Sequence, residues 1–202
     1  MTRVFRSVKM LGVIALFTGT MVLVGCGAKA PEEEIAGAQA TIDSVKALSV
    51  VQQYGQTEIR QVESQLARAR QLVTEKRNED ALAAALQAQQ QARAVVTAAG
   101  RNRDAAMRDA EQAVADAKAA IEEARQAIPK APRWGKGAIR DIAALEAAVT
   151  EAASQVATAE QDLADAAYRD AAAAARSAAQ AARAVTQTVV DAIELRESAR
   201  TR

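Results

Sequence analysis

The sequence predicts an all-α protein of two related three-helix units, packed as antiparallel, coiled-coil-like bundles. Three observations predict it. Half of the residues are apolar but only 2% are aromatic, so the apolar content is mostly alanine with scattered Ile, Leu and Val. Alanine is the strongest helix former but buries little area, so its helices must pack closely along their length. Apolar residues recur at three-four spacing, which keeps one face of a helix toward a partner. The chain also repeats itself in two halves.

The first element is an export signal over residues 1–25. Arg3, Arg6 and Lys9 form a positive start, and an apolar run from Met10 to Val24 follows, broken at Gly12, Thr18, Gly19 and Thr20. That run is too short for a membrane-spanning helix, which needs about 20 apolar residues. It ends in Leu23-Val24-Gly25-Cys26, which resembles the lipobox of bacterial lipoproteins. The resemblance implies cleavage after Gly25 and lipidation of Cys26 by diacylglycerol and a further acyl chain such as palmitate. Cys26 is the lone cysteine, so no disulfide framework competes for it. More than one acyl chain gives stable membrane anchoring. Gly27, rather than Asp, follows the cysteine. Under the Gram-negative sorting rule that the resemblance carries, this directs the protein to the outer membrane, facing the periplasm.

A lipidated tether over residues 26–31 leads to the first unit, residues 32–99. Glu32, Glu33 and Glu34 open a helix where its dipole favours negative charge. Ile35, Ala38, Ile42, Val45 and Leu48 mark its apolar face, and Tyr54-Gly55 marks a turn. The next seam is Ile59, Val62, Leu66, Ala69 and Val73. Lys76-Arg77-Asn78 reads as a break, and a third helix carries Ala81, Ala85, Ala88, Ala92 and Val95.

The second unit, residues 100–202, repeats the plan with a longer middle helix. Ala36 to Ile42 matches Ala115 to Ile121, Tyr54-Gly55 with Ile59-Arg60 matches Trp134-Gly135 with Ile139-Arg140, and Asp80-Ala81 with Ala92 to Val95 matches Asp170-Ala171 with Ala182 to Val185. The interval lengthens by about ten residues between the last two blocks, which places the insert in the middle helix. Three added helical turns there preserve an apolar face. That helix carries the clearest seam: Ile142, Leu145, Val149, Ala152, Val156, Ala159, Leu163 and Ala166. Pro129, Pro132, Gly135 and Gly137 forbid a continuous helix before it. Gly100 alone costs only about 1 kcal/mol in a helix, so a helix continuous or merely kinked across the two units is favoured, as in spectrin-like arrays.

Residues 31–96 resemble a domain of unknown function found in alanine-rich bacterial lipoproteins, in some members placed before an OmpA-like peptidoglycan-binding domain. The carrying features are the lipobox, the tether, and Leu66-Ala-Arg-Ala-Arg-Gln-Leu72 leading to Asp80-Ala-Leu-Ala-Ala-Ala-Leu86. The resemblance implies an envelope location and a helical fold. It carries no peptidoglycan-binding residues to this chain, so peptidoglycan proximity has no motif behind it.

The sequence holds no histidine, and its carboxylates alternate with Arg and Lys along helices, as on solvated faces. Glu122 and Glu123 read as such a face rather than an acid–base pair. No catalytic residue, metal site or cofactor beyond the lipid on Cys26 is expected. The formal charge is +1 with the signal included, leaving the body slightly acidic. A chain with no basic stripe and few aromatics disfavours nucleic acid. Trp134, between Arg133 and Lys136, reads two ways. The loop is basic and aromatic-tipped, a candidate binding loop; the repeat favours a plug closing the bundle end, as Tyr54 would in the first unit. The expected function is a non-enzymatic envelope lipoprotein acting as a helical interaction or spacer module, with a protein partner or self-association through its seams. The alternative is a periplasmic carrier or chaperone holding apolar ligands between helices.

Overall fold

A computed structural model of the chain describes residues 29–201. Leu23, Val24, Gly25 and Cys26 lie outside the described residues. Six α-helices form two three-helix bundles: α1 (Glu32–Lys46), α2 (Ser49–Tyr54), α3 (Gln56–Thr74), α4 (Asn78–Ala127), α5 (Ile142–Ala164) and α6 (Tyr168–Arg200). A single 3-10 turn, Ile128–Lys130, follows α4. Among the described residues no helix is long and apolar enough to cross a membrane.

Helix α4 is 50 residues long and belongs to both bundles. At 1.5 Å per residue its contour is about 75 Å. Gly100 sits within it without a break, as the weak cost of one glycine allows. In the first unit α1, α3 and the first half of α4 run up, down and up. Lys46 pairs with Glu63 at 2.6 Å and Arg70 donates to Gln39 at 2.8 Å, which sets α3 antiparallel to α1. In the second unit the rest of α4, α5 and α6 repeat that course, with Lys118 paired to Glu160 across α4 and α5 and Arg176 to Asp109 across α6 and α4. These exposed pairs fix register more than they stabilise.

The cores repeat residue for residue. Ala38, Ile42 and Val45 of α1 are buried, as are Ala117, Ile121 and Ala124 of α4. Ile59, Val62, Leu66 and Ala69 of α3 find their equivalents in Val149, Ala152, Val156 and Ala159 of α5. Ala81, Ala85, Ala88, Ala92 and Val95 of α4 match Ala171, Ala175, Ala178, Ala182 and Val185 of α6. The second turn of each unit repeats to the hydrogen bond. Lys76 and Ala166 both take φ 60°. Arg77 N donates to Leu72 O at 2.9 Å, and Ala167 N to Asp162 O at 2.8 Å. Lys76 N donates to Val73 O, and Ala166 N to Leu163 O. Both are Schellman terminators with a non-glycine residue in the left-handed position.

Three expectations are corrected. The middle helix is longer, 23 residues in α5 against 19 in α3, but most of the added length lies in the connector ahead of it, between Ala124 and Val149. Ile59 and Ile139 are therefore not equivalent: Ile59 is buried in α3, whereas Ile139 sits in the connector, donating its N–H to Pro132 O at 2.9 Å. The seam expected to end at Ala166 ends one turn earlier, because Ala166 is the left-handed turn residue. Leu48 leaves the face of the first helix: α1 stops at Lys46, and Leu48 is exposed in extended conformation ahead of α2.

Opposite substitutions should both stabilise this fold. Ala166→Gly removes the left-handed penalty, about 1 kcal/mol. Gly100→Ala gains a similar amount, because a Cβ there meets nothing within 4 Å and the position is helical. Urea midpoints of the two variants check this; a lowered midpoint for Ala166→Gly contradicts the terminator assignment.

Candidate functional site: the connector at the far end of the long helix

Each unit has an end where its first helix passes to its second, and the two ends differ. In the first unit, Tyr54 closes the end and is 6% exposed. Its carbonyl accepts from Asn102 Nδ2 at 2.9 Å, and the same amide donates to Glu58 at 2.9 Å. The Arg169 guanidinium lies 5.0 Å above the Tyr54 ring centroid, a cation–π contact between units. Tyr168 packs against both cores. Nearby, a hydrogen bond to Asp104, and then its charge, raises the Arg103 pKa. Hydrogen bonding to Glu63 raises that of Lys46. Both side chains are exposed, and both stay charged at neutral pH.

In the second unit, the equivalent end is the connector Ile128–Asp141. Ile128, Ala131 and Pro132 are buried and fill the space that an aromatic plug would occupy. Ala127, Ala131 and Val189 form a small cluster with Ile139, Ile142, Leu145 and Ile193 packed on it. Trp134 is thereby left outside, 73% exposed, and the plug expectation for it is wrong. Two interlocked features hold it there. Gly135 and Gly137 take φ of 83° and 81°, and Ala138 N donates to Gly135 O at 3.2 Å. A Cβ on Gly137 would lie 2.4 Å from the Ala192 carbonyl of α6, so only glycine lets the connector rest on that helix. Asp141 caps α5, its carboxylate accepting from Ala144 N at 2.9 Å.

Arg133, Trp134 and Lys136 are thus brought together on one exposed tip, with Lys130 and Arg140 beside them. Sequence reasoning missed Leu195, 52% exposed on α6, whose Cβ would lie 3.2 Å from a Cβ on Gly137. No sequence signal marked it, since only the docking of the connector on α6 brings it near. Glu122 and Glu123 are exposed on α4, and Glu122 pairs with Arg125 at 2.6 Å, as expected of a solvated face. Among the described residues no group of three metal-ligating side chains comes together, and no polar or charged residue is buried. Comparison of the chain with known protein families, with curated proteins and with solved structures yields no match.

Gly137→Ala should cost roughly 2 kcal/mol, from left-handed strain together with collision against the α6 backbone. Thermal unfolding followed by helical circular dichroism checks this. A change of less than a few tenths would mean that the connector does not need its seat on Ala192.

Proposed function

We propose that this chain is a non-enzymatic envelope lipoprotein in which a helical spacer separates a lipid anchor from an exposed contact tip. The observation that carries this reading is α4. Lys29, Ala30 and Pro31 lie at its start, lining a shared cleft with Asn78, Glu79 and Leu82. The connector lies at its other end, about 75 Å of helix away. Cys26 is three residues before Lys29, so a lipid on it holds the start of α4 close to the bilayer. The lipobox and the alanine-rich lipoprotein resemblance support the anchor and a place on the outer membrane, facing the periplasm.

The partner surface requires revision. The seams at Ile59–Ala69 and Val149–Ala159 are used inside the two cores. A protein partner or second copy would therefore meet what remains outside, such as Leu82 and Leu86, one helical turn apart and exposed on α4.

One observation favours the carrier reading as an alternative. Between α1 and α3 lies an open groove of about 600 Å³, lined by Ile35, Ala36, Ala40 and Val73, with Gln39, Asp43 and Arg70 at its edges. Lipid co-purifying with the chain and lost on Ala40→Arg is the expected result under that reading. Purification free of lipid removes it.

Cys26→Ser should move the protein from the membrane fraction to the soluble fraction with its helical content unchanged. Radiolabelled palmitate should mark the parent chain and not the variant. A variant that still pellets with membranes to the same extent would sink anchoring by lipid alone.

A further inference from the structure

We propose that the connector tip docks on an anionic lipid bilayer, a second surface distinct from the one that holds the anchor. From Pro129 to Arg140 the chain carries four cations, Lys130, Arg133, Lys136 and Arg140, and no carboxylate, amide or hydroxyl side chain. All four are exposed, and none forms an ion pair among the described residues. Asp141, the nearest carboxylate in sequence, is engaged with Ala144 N. Trp134 stands among these cations, and its indole N–H makes no hydrogen bond among the described residues. Leu195 adds a second exposed apolar side chain beside Gly137.

This composition selects the occupant. Glycan and peptide recognition needs directional acceptors and donors placed around a concavity. From Pro129 to Arg140 the tip has no side-chain acceptor, so it offers positive charge, N–H donors, an indole ring and apolar groups and cannot pair with the donors of a glycan or peptide. An indole with one polar edge settles at the headgroup level of a bilayer. Lys and Arg beside an anionic leaflet each strengthen binding about fivefold. The buried Pro132, the two left-handed glycines and the Ile139–Pro132 hydrogen bond hold the tip in shape before contact, so little ordering cost remains. The proposal rests on the anchored-spacer reading for its second surface, because α4 separates anchor and tip.

The test uses the full-length lipidated protein reconstituted in neutral phosphatidylcholine vesicles, to which a second population containing phosphatidylglycerol is added. Trp134 is the only tryptophan in the chain, so its emission reports on the tip alone. Emission should shift to shorter wavelength, and the two populations should cluster, in a salt-sensitive manner. The double variant Lys130→Glu, Lys136→Glu should cluster at least tenfold less, and Trp134→Ala about fivefold less, with unchanged circular dichroism. Absence of shift and clustering overturns the proposal, as does an equal response to a second neutral population. An equal emission shift with soluble poly-glutamate would show recognition of charge alone and also overturns it. A shift in anionic vesicles without clustering would mean that the tip meets the anchoring bilayer, which overturns the second-surface claim. A chain that fails to float with the first vesicles refutes the anchor separately, while its emission shift still reports on the tip.

Discussion

The structure depends on the close approach of helices through alanine. Ala81, Ala85, Ala88, Ala92, Ala99, Ala110, Ala117 and Ala124 of α4 are all fully buried. A buried alanine loses no side-chain rotamer freedom, so each contact is entropically cheap. Each methyl also removes little apolar area, so the gain accumulates only along many turns. A long shared helix answers that constraint. One α4 supplies a wall to both cores, and neither unit needs to close its inner end alone. Ile42, Leu66, Val51, Val189 and Pro132 are the largest side chains that are fully buried among the described residues.

The same constraint makes the two ends of the repeat unequal. The first unit's end abuts the second unit, so Tyr54 is covered by Arg169 and Tyr168 and acts as mortar between bundles. Among the described residues, no other unit stacks on the second unit's end. A longer connector folds back instead, and Ile128, Ala131 and Pro132 fill the gap. The connector's one aromatic side chain, Trp134, is left outside. Trp134 is left exposed among cations that form no ion pair among the described residues.

Much of the fold was legible because burial follows a three-four rhythm that alanine-rich sequence still displays. The seams, the break at Lys76-Arg77 and the continuity across Gly100 all follow from spacing and from the modest cost of one glycine. The misalignment of the repeat has one source. Alanine aligns with alanine in several registers, so the aromatic-Gly pairs at Tyr54 and Trp134 drew the repeat into the wrong alignment and placed the whole insert in the middle helix, which takes only part of it. The terminators at Lys76 and Ala166 carry no glycine to announce a left-handed residue. Their equivalence appears only in φ and in matching hydrogen bonds. Leu195 was illegible because nothing near it in sequence marks the approach of Gly137.

By itself the sequence determined the long helices, their apolar faces and most of their breaks, because these depend on local propensity and on periodicity within one segment; the short α2 and the break at Leu48 it did not mark. It also contained the basic, carboxylate-free run around Trp134, since composition is local. Only the tertiary structure decided whether that tryptophan turned in or out. The choice depends on how a connector closes over a core and on whether another unit stacks above it, and both are contacts between residues far apart in the chain.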